Sequence, residues 1–241
     1  MRSLRYLRQE RILGKESKKL RNASVGIVGI GGIGSNSALL CTQLGVEKLI
    51  LVDRDFVQVT NLSRQSLFSE RSIGKPKASE AEKILHKINS DVDINAYQDQ
   101  LSHKNVGAIL GETGVILDCT DNYDTRKIIN EYAWSNKKTW IFASAFGMEC
   151  MLSTVIPGKT PCFQCWAKEP EVESNCSEAG IMNTTTAFIS SLQIQEMVNL
   201  LCFGKPVFAG SLFYGDLRNG IFHKKKLKTQ KDCACCRKQK A

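Results

Sequence analysis

The chain has no run of apolar residues approaching the ~20 needed to cross a bilayer. Its first 22 residues alternate charge with Leu and Ile and lack the apolar core of a signal peptide. Together these absences predict a cytoplasmic protein with no membrane partner. Aromatic residues make up only 7% of the sequence, and none interleaves with Lys and Arg to form a base-stacking platform. The net charge of +9 is therefore not read as a nucleic-acid footprint. The excess sits at the two ends, Arg2 to Lys19 and His223 to Lys240, with a nearly balanced middle. Most of it is read as solvated surface, with an acidic protein partner or a polyphosphate nucleotide as compatible ligands. Internal repeats and low-complexity linkers are also missing, and 241 residues of 42% hydrophobic composition suffice for one sizeable core.

What is present is a strand and helix rhythm. Ser24 to Ile30 and Lys48 to Asp53 are short apolar, β-branched runs of the kind a buried parallel strand needs, and a helix is predicted between them over Ser35 to Leu44. Lys77 to Ile88 carries Ala78, Ala81, Leu85 and Ile88 at helical spacing after Pro76. Val92 to Tyr97, Val115 to Thr120 and Thr139 to Ala145 read as further strands, with a helix over Tyr123 to Asn136. The alternation predicts an α/β fold, a Rossmann-like, mostly parallel sheet with helices on both faces. After Gly147 the rhythm changes to Met151 to Ile156, a Cys-rich loop, a helix from about Glu178 to Leu201 and two antiparallel strands around Leu212 and Ile221. Helical character in Arg5 to Leu13 and Glu16 to Asn22 completes the expected layout. It divides into an arm (1–22), a nucleotide-binding half (23–146) and a C-terminal half (147–241) of one domain.

Gly29, Gly31, Gly32 and Gly34 fall between a strand and a helix, where missing Cβ atoms let the backbone turn tightly and approach a phosphate at the helix N-terminus. Asp53, about twenty residues on, is placed to accept bonds from a ribose hydroxyl pair. These residues specify a nucleotide site without choosing between NAD(P) and ATP, so a dinucleotide-binding oxidoreductase or redox sensor stays open at this point.

The residues that follow decide the matter by resemblance. Asp55 is followed by Asn61, Leu62, Ser63, Arg64 and Gln65, then by Gly74, Lys75, Pro76 and Lys77, and later by Asp118, Cys119, Thr120, Asp121 and Asn122. With these motifs the chain resembles, from Arg5 to Cys236, the small bacterial adenylyltransferases of the ubiquitin-activating superfamily (the ThiF, MoeB and HesA kind). The resemblance implies ATP-dependent adenylation of the C-terminal carboxylate of a ubiquitin-like sulfur-carrier protein ending in Gly-Gly. The products would be an acyl-AMP and pyrophosphate, for molybdopterin or thiamine biosynthesis; the alternative is a peptide or small-molecule carboxylate. It also implies that Asp121 holds magnesium, with Asn122 beside it, that Arg64 and Lys77 neutralise phosphate charge, that Asn61 is a polar group at the reacting phosphorus, and that Asp55 and Gln65 line the nucleotide site. Arg8 matches an arginine that reaches the triphosphate from the second subunit of a homodimer. The segment Ile181 to Ala187 (IMNTTTA) departs from the small and apolar residues, with a proline, of close relatives. The identity of the carboxylate is therefore the feature the resemblance fixes least. No sulfurtransferase sequence follows, so sulfur for a thiocarboxylate is expected from a separate protein.

Ten cysteines without a secretory signal argue against a disulfide framework. Cys162 and Cys165 form one Cys-x-x-Cys and Cys233 and Cys236 another, the pairing of a closed structural zinc site that clips two distant segments together. Cys235 offers an alternative ligand. Cys176 matches a loop cysteine that some relatives use covalently, and a thioester or persulfide-linked step is the expectation there. Cys41, Cys119, Cys150 and Cys202 are assigned to core filling.

Overall fold

The computed structural model describes residues 2–169 and 180–237. Eight strands form one sheet in the order β3-β2-β1-β4-β5-β6-β7-β8. They are β1 (Ser24–Val28), β2 (Lys48–Val52), β3 (Asp93–Tyr97), β4 (Val115–Asp118), β5 (Thr139–Phe146), β6 (Glu149–Val155), β7 (Ser211–Asp216) and β8 (Ile221–Lys226). The first five pair in parallel and the last three antiparallel. This is the predicted parallel sheet with its antiparallel extension. The helices are α1 (Arg2–Arg5), α2 (Leu7–Leu13), α3 (Ser17–Arg21), α4 (Gly32–Leu44), α5 (Lys77–Ile88), α6 (Val106–Leu110), α7 (Tyr123–Ser135), α8 (Asn183–Val198) and α9 (Ala234–Arg237).

The central strands β1, β2 and β4 read as nearly continuous apolar runs because both faces are covered. Ile27, Leu49, Leu51, Leu117 and Ile141 enter one buried cluster, shared with α4, α5 and α8. Their neighbours Val28, Ile50, Val52, Ile116 and Trp140 enter another, shared with α6, α7 and the segment around Cys162. The period of two along each strand divides the core into these two layers. Buried polar groups tie the first layer to the sheet: Gln193 of α8, fully buried, donates to the Asp118 and Ile141 carbonyls (3.0 Å each) and accepts from Ser37 Oγ of α4 at 2.9 Å.

Several boundaries differ from the sequence expectation. α4 begins at Gly32, three residues early, because glycines reduce intrinsic helix propensity without preventing a first turn. α8 starts at Asn183: Ile181 is held extended in a bridge to Gly147, and the helix ends in a π-helical turn, Asn199–Phe203. The N-terminal arm breaks at Tyr6, which is 3% exposed. Tyr6 packs against Gly45, and its hydroxyl accepts from Asn89 Nδ2 at 2.7 Å. Gln9 Nε2 donates to the Leu44 carbonyl at 2.8 Å, and Arg5 Nη1 to the Ile88 carbonyl at 2.7 Å. The arm thus satisfies carbonyls at the C-terminal ends of α4 and α5, where helix dipoles favour donors and cations.

Gly45 sits at φ +73°, and a Cβ there would lie 2.3 Å from the Tyr6 ring. Gly45→Ala is expected to lower stability by about 2 kcal/mol, adding left-handed strain to displacement of Tyr6. Urea unfolding, with proteolysis of the arm as a second readout, checks this.

Candidate nucleotide and metal sites

Chain order places β2 and β3 on one side of β1 and β4 on the other, so the carboxyl ends of β1 and β4 flank a topological switch point, where open α/β sheets bind ligands. Residues from both strands meet there. Gly29 leaves β1 at φ +87°, and a Cβ on it would lie 2.9 Å from the Cys119 carbonyl oxygen. A Cβ on Gly34 would come within 1.8 Å of the Gly29 carbonyl oxygen. Only glycine permits this approach, which folds the loop onto the first turn of α4. Nothing lies within 4 Å of a Cβ position on Gly31, at the N-cap of α4, so the backbone there is open to a ligand. The free N–H groups of that turn make it an anion site.

Around this opening the structure gathers most of the residues named from sequence. Asp53, past the end of β2, accepts from Ile30 N at 2.6 Å and Asp55 N at 2.7 Å. Burial pushes its carboxyl above the usual range, with Lys77 opposing the shift. Lys77, 6% exposed at the start of α5, places Nζ 3.2 Å from Asp55 Oδ2. Arg64 packs its stem against Gly32, 3.5 Å from where a Cβ would stand, and donates to the Thr60 carbonyl at 3.0 Å. Asn61 is buried, its Oδ1 accepting from Gln58 N at 3.1 Å, and its carbonyl receives the N–H groups of Arg64 and Gln65. Gln65 is also buried, with an Oε1 that has no hydrogen-bond partner among the described residues. Asp121 lies exposed three residues beyond β4, and its carboxylate is unpaired among the described residues. Asn122 caps α7 by accepting from Thr125 N at 2.9 Å, which gives it a structural role beside the site.

Two expected participants stand apart. Arg8 is exposed on the arm docked at the C-terminal end of α4. The glycine loop is at the other end, some 20 Å away along a 13-residue helix. That is farther than an arginine side chain extends, so Arg8 does not join the loop of its own chain. Cys176 lies outside the described residues. In the departing segment, Thr185 Oγ1 donates to the Gly147 carbonyl at 3.2 Å and the Thr186 methyl lies 2.8 Å from a Cβ position on Gly32. Both threonines are buried, and of the three consecutive threonines Thr184 alone faces solvent.

Sequence reasoning quoted Asp118 within a motif but gave it no role; it is fully buried with its Oδ2 3.3 Å from Arg126 Nε. The available signal was an acid closing the run Val-Ile-Leu-Asp inside a core strand.

The sulfurs of Cys162, Cys165, Cys233 and Cys236 all lie within 4.8 Å of one another. The Cys162–Cys165, Cys162–Cys233 and Cys165–Cys236 separations are 3.8, 3.5 and 3.4 Å. A disulfide would bring two sulfurs to ~2.05 Å. A tetrahedron with Zn–S bonds of ~2.3 Å has edges of roughly 3.8 Å, so the donor set fits zinc. Cys235, outside this quartet, neighbours Cys162 and accepts from Asn130 Nδ2 at 3.3 Å. Cys41, Cys119, Cys150 and Cys202 are buried, in keeping with core filling.

The model of the ThiF family matches residues 5–236. The chain belongs to the ThiF family. It is 34% identical over 203 residues to the sulfur carrier protein ThiS adenylyltransferase of Bacillus subtilis (strain 168), covering 82% of this chain and 60% of that protein. Protein HesA of Nostoc sp. (strain PCC 7120 / SAG 25.82 / UTEX 2576) is 30% identical over 221 residues, 91% of this chain and 86% of HesA. The adenylyltransferase and sulfurtransferase MOCS3 of Culex quinquefasciatus is 32% identical over 222 residues, 90% of this chain and 51% of MOCS3. The chain therefore spans about half the length of the MOCS3 relatives it matches. Among solved structures, E. coli MccB with ATP superposes with a TM-score of 0.84 at 22% identity, covering 96% of this chain and 74% of MccB. The fold is thus that of MccB. No helix of the described residues is long and apolar enough to cross a membrane.

The purified protein is expected to carry one zinc per chain. Cys162→Ser should lose the metal and lower Tm, whereas Cys235→Ser should retain it. Metal analysis and thermal unfolding distinguish them.

Proposed function

We propose that this ThiF-family chain is an ATP-dependent adenylyltransferase acting on the C-terminal carboxylate of a ubiquitin-like sulfur carrier ending in Gly-Gly, its whole length serving as one adenylation domain. The observation that carries the reading is the convergence at the switch point of the open α4 N-terminus, Arg64, Lys77 and Asp121. Cations and a free carboxylate around a phosphate-binding turn suit a triphosphate with a divalent cation, and hydride transfer from a dinucleotide requires no such cation-holding carboxylate. The similarity to ThiS adenylyltransferase and MOCS3 supports a sulfur carrier as acceptor.

Adenylation is an in-line attack of the carboxylate on the α-phosphate, with pyrophosphate leaving. The attacking group is already ionised at pH 7, so no general base is required. What the protein supplies is position and charge. Asp53 orients the ribose, the α4 turn binds the phosphates, Arg64 and Lys77 offset charge on the leaving pyrophosphate, Asn61 stands at the reacting phosphorus, and Gln65 lines the nucleotide site. Asp121 would hold magnesium, which neutralises phosphate charge when bound. The remoteness of Arg8 from its own site supports its completing the site of a second copy. The net charge of +9 suits an acidic carrier through electrostatic steering. Cys176 remains assigned to a thioester or persulfide-linked step.

The likeness to MccB, solved with ATP and with N-formylated MccA, favours as second reading a peptide or small-molecule carboxylate.

ATP–pyrophosphate exchange by the zinc-loaded protein is expected to require a Gly-Gly-ended carrier and to vanish in Asp121→Ala. Exchange with a peptide or small acid alone would transfer the reading to the second class of acceptor. Arg8→Ala is likewise expected to be inactive. Mixed with Asp121→Ala, it should regain about a quarter of the sites, since half the dimers are then mixed and each holds one intact composite site. No recovery would place Arg8 outside the site.

A further inference from the structure

Asp118, Thr120 and Arg126 build a closed ring of contacts around the turn that carries Asp121. Asp118 Oδ1 accepts from Thr120 N at 3.0 Å and Thr120 Oγ1 at 2.6 Å. Asp118 Oδ2 faces Arg126 Nε, and Arg126 Nη2 donates to the Thr120 carbonyl. Arg126 stands in the first turn of α7, so one guanidinium spans the turn that leads from β4 to the helix. A fully buried carboxylate at a strand end is costly unless paired, and apolar residues would fill that place as well. The pair therefore needs a reason beyond stability, and the geometry offers one: it fixes the backbone that presents Asp121.

The guanidinium is held from the other side too. Its carbon lies 4.9 Å from the centroid of the Phe142 ring on β5. Phe142 packs against Phe163 at 5.8 Å and Trp166 at 5.2 Å, and these two pack against each other at 5.0 Å. Phe163 lies between Cys162 and Cys165, and its N–H donates at 2.9 Å to Asn130 of α7. A continuous packed path thus runs from the cysteine quartet through the aromatic cluster to Arg126 and on to the turn carrying Asp121.

We infer that Arg126 is a positioning residue for the divalent-cation site: it locks the turn from Asp118 to Asp121 and seats it on the aromatic cluster of the cysteine clip. This rests on the reading of Asp121 as the carboxylate that holds magnesium. The Arg126 guanidinium is engaged with Asp118, the Thr120 carbonyl and the Phe142 ring, and its effect passes through the orientation of Asp121. Outer residues that orient a metal ligand typically govern 10–100-fold of metal affinity.

The test measures ATP binding to the full-length, zinc-loaded chain across a magnesium titration, with binding in excess EDTA added after zinc loading, and zinc content verified, as the magnesium-free reference. Arg126→Lys keeps the charge but loses the fork that reaches Asp118 and Thr120 together. It is expected to raise the magnesium midpoint about tenfold while leaving magnesium-free ATP affinity unchanged. Phe142→Leu should shift the midpoint in the same direction by less. If Arg126→Lys fails to fold, the charge-neutral double variant Asp118→Asn, Arg126→Gln removes the buried pair together and is expected to show the same midpoint shift. A midpoint that moves in Asp121→Asn but not in Arg126→Lys overturns the positioning role. A midpoint unmoved in Asp121→Asn overturns the assignment of Asp121 on which it rests.

Discussion

The space at Gly34 that a Cβ would fill is only 1.8 Å from the carbonyl oxygen of Gly29, and the carboxyl edge of the sheet is organised around that approach. Because the loop can fold so tightly, α4 begins directly over β1 and presents its unpaired N–H groups at the switch point between β1 and β4. The same contact brings Gly29 against the backbone of Cys119, which ties the loop to the strand that leads to Asp121. Asp53 then fastens the loop from the β2 side through Ile30 N. A larger side chain at Gly34 would break each of these relations at once, because all share one backbone path.

Among the described residues, the two cations at this opening, Lys77 and Arg64, each have a local partner, while the Asp121 carboxylate is left free. Lys77 is almost fully buried yet rests on an exposed Asp55, and Arg64 is steadied by one carbonyl with the rest of its fork unspent. Side chains fixed in this way lose little further freedom when a polyphosphate arrives, which is how preorganised electrostatics assists transfer at phosphorus. The C-terminal half contributes rigidity from beneath. Four clustered sulfurs join residues some seventy positions apart, and the aromatic residues between them form a wall of the lower core layer.

Parts of this were readable in the sequence because the signals are local. Strands buried on both faces leave apolar runs such as Leu49 to Val52, glycine spacing leaves a loop, and two Cys-x-x-Cys pairs leave a metal-site signature. Less was readable where the deciding contact is distant. The helix after Gly147 was expected from about Glu178, but bridging by Gly147 holds Ile181 extended and delays it to Asn183. Tyr6 looked like one more residue of an arm helix, and its burial depends on Gly45 and Asn89, up to eighty-three positions away. The threonines that depart from the family pattern proved mostly structural, since Thr185 and Thr186 are buried against Gly147 and Gly32.

By itself the sequence determined the layered α/β architecture, the nucleotide loop, the cysteine pairs and the family, because hydrophobic period, glycine placement and ligand spacing are properties of short stretches. Only the tertiary structure decided that Cys235 stands outside the quartet, that Arg8 is an α4 length from its own loop, and that Asp118 and Arg126 enclose the turn that carries Asp121. Those facts depend on which faces meet when the sheet is packed. Burial and long-range hydrogen bonds then choose among side chains that local pattern leaves equivalent.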